Sequence, residues 1–417
     1  MRVVLAFCFT IILLSATIRA DGAENALDSL IVIALESSPE LQAMRSEAMA
    51  SSFLAKSAGV LPDPRFSMAV MNLPRSSLVL DRTPMSGIQF GLSQTIPWPG
   101  KLRSLSRVAG LRSDFADQRV RAVRNRLVRD VSRAYYEYSA QQLIRDKLSE
   151  NIYLMDAVIE VAQSRYANGD ISARDLLSSQ TARTRLNIRI LEVERRSSEA
   201  LLKLHQLLGG SGFAEDIPAF LPPLDTVWLY DLAESENPYL QGAELKADEA
   251  VAELNLAKRS YWPDFTFGID YTKRNIIPSD PVNGEDFLSF KVGFNLPLWF
   301  FARQNNQRRA AREQLTAANY EIEAATLQLN QKISDSRKEL ALLVNNIDIY
   351  ERSLIPQTRA VREAARVAYE TGQIDFDALL NSQLSLLEAE IERINLLLRF
   401  QIQKANLIEL YGVDYEN

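Results

Sequence analysis

The chain is short of the residues on which most site chemistry draws. Its 417 residues include one cysteine and one histidine. Zinc and transition-metal sites, and Cys–His nucleophiles, are built from those two side chains. The composition therefore argues against a metalloenzyme or a thiol enzyme, and no cofactor is expected. A single cysteine leaves no internal disulfide to form. Glycine is scarce, at 16 residues, and the sequence holds no Gly-x-Ser-x-Gly, no phosphate loop and no His-rich motif. Enzymes built on those motifs are disfavoured. Basic charge is not in excess: 47 Lys and Arg stand against 53 Asp and Glu, a net of −6, which speaks against a nucleic-acid partner. The arginines from Arg119 to Arg133 read as a solvated helix surface, and His205, near a helix end, as a surface or packing residue. Beyond the N-terminus nothing reaches 18 consecutive apolar residues, so no helix is expected to cross a bilayer.

What is present begins with an export signature. Met1-Arg2 precedes an apolar run from Val3 to Leu14, and Ser15 to Ala20 follow before Asp21-Gly22. This is the pattern of a secretory signal over residues 1–20, cleaved after Ala20. Cys8 lies inside that run, so no lipid anchor is expected and the mature chain would have no cysteine.

The remainder is written twice. Tyr166 to Gln180 matches Tyr369 to Gln383 at seven of 15 positions with an offset of 203. Leu208-Gly209 and Tyr411-Gly412 keep that offset, Pro97 and Pro297 lie 200 apart, and Pro39-Glu-Leu41 and Pro238-Tyr-Leu240 lie 199 apart. Matches in order at nearly fixed spacing mark an internal repeat. We assign a first copy over 21–209, a linker over 210–228, a second copy over 229–412 and a tail over 413–417. Each copy alternates apolar and small or polar residues in two stretches, about 64–73 and 86–97 in the first, 264–273 and 287–297 in the second. Phe265, Phe267, Ile269 and Tyr271 against Thr266, Gly268, Asp270 and Thr272 is the clearest case. A period of two means strands, and lengths near ten residues suit a tilted membrane-spanning strand. Trp98, Tyr261, Trp262, Trp299, Phe300 and Phe301 all fall on the helix-proximal side of the hairpins, as in an interfacial aromatic belt. Two amphipathic hairpins packed on a soluble core are the alternative. In lipid, four strands leave two unpaired edges, so several chains would have to pool their strands.

The other segments read as helix: 39–59, 101–167 and 172–208, then 239–260, 302–371 and 375–411. Leu148, Ile152, Met155, Ile159, Ala162 and Tyr166 step by fours and threes, and Ile333, Leu340, Ile347, Leu354, Val361 and Ala368 recur every seven, with Ile322, Leu329, Leu343 and Tyr350 as companions. These heptads specify supercoiled helices, with a local kink at Pro356. A helix of 67 residues reaches about 100 Å at ~1.5 Å per residue. The fold class is mainly α with a small membrane β part.

The twofold repeat, the helical hairpins with Tyr-x-x-Gly turns, and the stretch Gln94-Thr-Ile-Pro-Trp-Pro-Gly-Lys101 together resemble the TolC-like outer membrane factors over about residues 25–412. The Pro-Trp-Pro-Gly-Lys turn is similar to the branch that serves heavy-metal efflux. The resemblance implies a homotrimer with a twelve-stranded barrel in the outer membrane of a Gram-negative bacterium and a twelve-helix tunnel in the periplasm. It implies an inner-membrane pump of the RND type and a periplasmic adaptor that docks at the turns of Tyr166, Gly169, Tyr369 and Gly372. Relatives narrow the tunnel with aspartates, commonly six residues after the first turn glycine and six and nine after the second. Asp175 matches that pattern; Ala378 and Asn381 depart from it, with Asp375 and Asp377 nearby. Two residues apart on a helix, those two would not share a face. Each aspartate also suits a helix N-terminus as a capping charge. The function implied is a passive conduit for small solutes, heavy-metal cations among them. A channel for type I protein secretion and a soluble periplasmic coiled-coil scaffold are the alternatives.

Overall fold

The computed structural model describes residues 26–75, 77–169, 172–210, 217–225, 237–276 and 284–412. The expected signal over 1–20, Cys8, the tail 413–417 and much of the expected linker lie outside these residues. The elements, in chain order, are α1 (26–37), α2 (Pro39–Ala58), β1 (Arg65–Met71), β2 (Gly87–Ile96), α3 (Lys101–Ala167), α4 (Ala173–Leu207), α5 (Pro238–Arg259), β3 (Phe265–Arg274), β4 (Phe287–Phe294), α6 (Gln304–Ile349), a π-helical turn (Tyr350–Leu354), α7 (Ile355–Glu370) and α8 (Phe376–Tyr411). No helix among the described residues is long and apolar enough to cross a membrane.

The chain divides into two compact units, and each draws on both copies of the repeat. One comprises Met44–Arg119 and Tyr239–Thr326 and holds all four strands. They form one antiparallel sheet in the order β1-β2-β3-β4. The inner pair, β2 and β3, comes from different copies, with Phe90 opposite Tyr271 and Ile96 opposite Phe265. The period-two alternation becomes two unlike faces. Across one run the rows Phe66–Leu92–Ile269–Phe290 and Met68–Phe90–Tyr271–Leu288; across the other runs Ser67–Gly91–Asp270–Ser289. β4 stops at Phe294, three residues short of the expected end, because Pro297 has no N–H for a ladder. Beneath the sheet, Val108 and Leu111 of α3 bury against Ala252 of α5, and Ala247 and Ala250 of α5 against Ala318 of α6.

The other unit takes the described residues before Met44, Val120–Pro238, and those from Leu327 on. Its largest core gathers Leu148, Leu340, Ile347, Leu387, Phe400 and Leu407 from α3, α6 and α8. A second core seats α1 through Leu27, Leu30, Ile31 and Ala34 on Val131 and Tyr135 of α3 and Leu204 of α4. The sequence reading missed α1, although its spacing of three and four is the amphipathic signal.

The expected helix over 302–371 is not one regular helix. Pro356 cannot donate to the carbonyl four residues back and its ring would collide with it. The backbone widens instead: the Ile355 N–H donates to the Tyr350 carbonyl, five residues away. A π turn adds one residue to the helix, so the seam moves by one. Leu340 and Ile347 are fully buried, but beyond the turn Ile355 is buried while Val361 stands 59% exposed. The contacts pass to Ile355 and Tyr369. The unbroken heptad through Val361 and Ala368 is thus corrected to a seam that steps at the π turn, and the kink expected at Pro356 is this widening.

Candidate functional site: the sheet, the aromatic junction and the helical turns

Three places carry the residues singled out from the sequence. The first is the sheet. Its apolar face is bare in the single chain, with Phe66 68%, Met68 62% and Phe290 74% exposed. β1 and β4 each lack a partner on their outer side among the described residues. The opposite face is polar and close-fitting. Asp270 is buried and pairs with Lys291. A side chain at Gly91 would lie 2.5 Å from both the Asp270 carboxylate and the Ser67 hydroxyl and would have to push them aside.

The second is the junction where strands become helices. Trp98 stacks on Trp262 with ring centroids 4.6 Å apart, and on Phe265 at 5.9 Å. The Asp264 carboxylate fixes this turn: it accepts the Trp98 N–H at 2.9 Å and pairs with Lys101 at 2.8 Å. Tyr261 donates its hydroxyl to the Asn305 side chain at 2.6 Å. Phe300 and Phe301 lie against each other at 3.9 Å, and Trp262, Trp299 and Phe301 are exposed. Lys101 and Asp264 were not singled out from the sequence. The signal was the Gly-Lys that opens α3, read there only as part of a family motif.

The third is the pair of repeated turns. Gly169 and Gly372 have φ of +84° and +74°, a left-handed conformation that glycine enters without a Cβ penalty. Each donates its N–H to the carbonyl of the tyrosine three residues back, Gly169 to Tyr166 at 3.0 Å and Gly372 to Tyr369 at 3.1 Å. The tyrosines differ: Tyr166 is exposed, whereas Tyr369 packs edge-on against buried Phe376 at 5.9 Å and under Arg165. Asp175 closes a capping box on α4: Ser172 accepts the Asp175 N–H, and the Asp175 carboxylate accepts the Ser172 N–H, both at 3.3 Å. Asp375 is the N-cap of α8 and accepts the Ala378 N–H at 2.9 Å. It lies before the helix, so the face argument applied to Asp375 and Asp377 needs correction. Asp377 is inside α8 and pairs with Arg174 of α4 at 3.2 Å. Arg174 and Asp377 occupy the same position in the two copies, 203 residues apart. The repeat carries that pairing in the sequence, since Arg174 stands where the second copy has Asp377. A groove of about 760 Å³ between α4 and α8 is lined by Arg174, Arg185 and Arg189 on one side and Asp377, Asn381 and Glu388 on the other. The structure thus brings Asp377 and Asn381 to one groove, with Ala378 beside them in the first turn of α8.

A sheet with one bare apolar face and unpaired outer strands calls for an apolar surround outside the single chain, such as a membrane supplies. The comparisons agree. Residues 30–210 and 229–413 match the family described as outer membrane efflux protein. The toluene efflux pump outer membrane protein TtgF of Pseudomonas putida is 22% identical over 360 residues, covering 82% of this chain and 74% of that protein. The probable outer membrane lipoprotein SilC of Salmonella typhimurium is 22% identical over 346 residues, covering 77% and 71%. Among solved structures, the outer-membrane channel OprN superposes with a TM-score of 0.79 at 15% identity, covering 94% of this chain and 91% of that one. The chain belongs to the outer membrane efflux protein family, and its place is the outer membrane, extending into the periplasm. That placement removes the soluble scaffold from the alternatives.

Proposed function

We propose that this chain is the outer membrane channel subunit of a tripartite efflux system, working as a homotrimer that passes small solutes, heavy-metal cations among them, without chemistry of its own. One observation carries the assembly: a four-stranded sheet with an apolar face and two unpaired edges. Unsatisfied backbone groups are costly in lipid. Three copies placed edge to edge close a twelve-stranded barrel in which β4 of one meets β1 of the next, and a closed ring has no edges. Four long helical arms of each chain, α3, α4, α6 continued by α7, and α8, then supply a twelve-helix tunnel. A periplasmic adaptor docks at the turns of Tyr166, Gly169, Tyr369 and Gly372, and an inner-membrane pump of the RND type loads the conduit.

In this reading the turns also form the narrow end. Asp175 and Asp377 are the first-turn carboxylates of α4 and α8, and a threefold ring of either favours cations. Capping and lining are compatible, since a capping carboxylate keeps a second oxygen for the lumen. Asp375 is committed to the Ala378 N–H and contributes charge to the same region, while Ala378 and Asn381 widen a position that relatives narrow. The cation cargo rests on the Pro-Trp-Pro-Gly-Lys junction and on these carboxylates. Conductance of Asp175→Asn in planar bilayers tests the constriction: a fall in cation over anion permeability is expected, and an unchanged ratio would remove Asp175 from it. Sensitivity of a deletion strain to a panel of metal salts and of organic solvents tests the cargo. Tolerance of the metals would sink the cation reading.

A further inference from the structure

The helix ends nearest the sheet carry a charge pattern that helix electrostatics opposes. The N-terminal end of a helix is the positive end of its dipole and favours acidic side chains. At the far turns the chain follows this rule, with Asp175 in the first turn of α4 and Asp377 in that of α8. α3 and α6, which start directly after the aromatic junction, have no acidic residue in the first turn. Residues 101–112 hold four basic side chains and no acidic one, and residues 303–312 hold four and none. Two of the eight have carboxylate partners: Lys101 pairs with Asp264, and Arg112 with Glu249 and Glu253. The other six, Arg103, Arg107, Arg303, Arg308, Arg309 and Arg312, are exposed and make no ion pair among the described residues. Arg103 and Arg303 stand where the dipole resists them, the other four follow within about two and a half turns, and this concentration of unpaired positive charge calls for a negative partner outside the chain.

We propose that these six arginines form a basic collar that binds the phosphate headgroups of anionic phospholipids in the periplasm-facing leaflet of the outer membrane. Position argues for a lipid surface. Helical side chains tilt toward the N-terminus of their helix, and for the five arginines inside α3 and α6 that is the end that follows the junction with the exposed Trp262, Trp299 and Phe301. All six lie within about 18 Å of the start of their helix, counting ~1.5 Å per residue. Aromatic rings at the interface with cationic side chains just outside it form the usual anchor pair at a membrane boundary. The proposal rests on the reading that the strands cross the bilayer, and the test separates the two.

The full-length protein is purified in detergent and its tryptophan emission is titrated with dibrominated phosphatidylglycerol and, separately, dibrominated phosphatidylcholine, at low and at high salt. Wild type should bind phosphatidylglycerol at least about fivefold more tightly than phosphatidylcholine at low salt. That preference should collapse at high salt, because screening shortens the reach of exposed charges. A protein with all six arginines changed to Gln should lose the preference while brominated phosphatidylcholine still quenches it, and one with all six changed to Lys should keep it. Equal affinity for the two lipids in wild type overturns the collar and leaves the membrane placement standing, as does a preference that survives high salt. Absence of quenching by either lipid overturns the placement of the sheet, and the collar with it. The salt comparison on wild type decides the matter even if the Gln variant does not fold.

Discussion

At the scale of single residues the chain uses its few buried polar groups to tie helices to loops. Tyr135 is 1% exposed and donates its hydroxyl to the Pro218 carbonyl at 2.9 Å. Burial pushes its pKa up to about 12. A phenol that resists ionisation only when folded gives stability that is whole below about pH 10 and is lost as pH rises toward the folded value. Tyr135→Phe should therefore cost about 1 kcal/mol at neutral pH through the orphaned carbonyl, and should remove part of the alkaline loss of stability. Thermal unfolding in detergent from pH 7 to 11 checks both. Asp156 shows the opposite sign: its hydrogen bond with Arg183 holds the carboxylate below its usual range. Its contribution is present above the ordinary carboxylate pKa of about 4 and disappears as pH falls. Asp156→Asn should lower the melting temperature slightly at pH 7, and by less and less as the pH falls below about 4. Neither residue was legible in the sequence, because both roles depend on what a distant segment places opposite them. Asp175 and Asp375 were legible as capping charges because capping is local, while the partnership of Arg174 with Asp377 needed the two copies to be laid on each other in space.

Elements were read more fully than sites. The strands lie within a few residues of their expected bounds, since a period of two survives in any environment. In the first copy α3 runs unbroken, and its heptad buries Leu148, Met155, Ile159 and Ala162 but leaves Tyr166 exposed. The second copy departs where one proline forces a π turn, and the seam residue there changes from a position ending in Val361 to one starting at Ile355. Ile355→Ala should cost about 2–4 kcal/mol and Val361→Ala within about 0.5 kcal/mol, as measured by the shift in unfolding midpoint. The reverse order would restore the regular heptad. At the turns, nothing lies within 4 Å of a side chain added at Gly169 or Gly372. Substitution to Ala there should cost only the left-handed backbone penalty, about 1–2 kcal/mol each, visible as a lower melting temperature and faster protease nicking at the substituted turn.

For the whole molecule, the two copies announced themselves in the sequence but their interleaving did not. A repeat detected by self-similarity is naturally imagined as two bodies in succession. The structure instead mixes both copies in each compact unit, because β2 of one pairs with β3 of the other. Two hairpins become one four-stranded sheet, and the apolar face doubles in width before any partner is needed. The proposed trimer is expected to hold together in mild detergent and to aggregate when the detergent is withdrawn. Sedimentation with and without detergent checks this, and a stable water-soluble monomer would contradict the reading.

The β2–β3 ladder also sets a timetable. Its paired residues stand 169 to 187 positions apart along the chain, from Ile96–Phe265 to Gly87–Arg274. Local hairpins close early, whereas a ladder of that span must pay for a long loop before it gains anything. During vectorial export the first half emerges while its strand partner is still behind the translocation machinery. For that interval an apolar hairpin is adrift in water with nothing to lean on. Holding that nascent half apart from its neighbours is a task the chain cannot perform for itself, and it falls to whatever escorts newly exported chains.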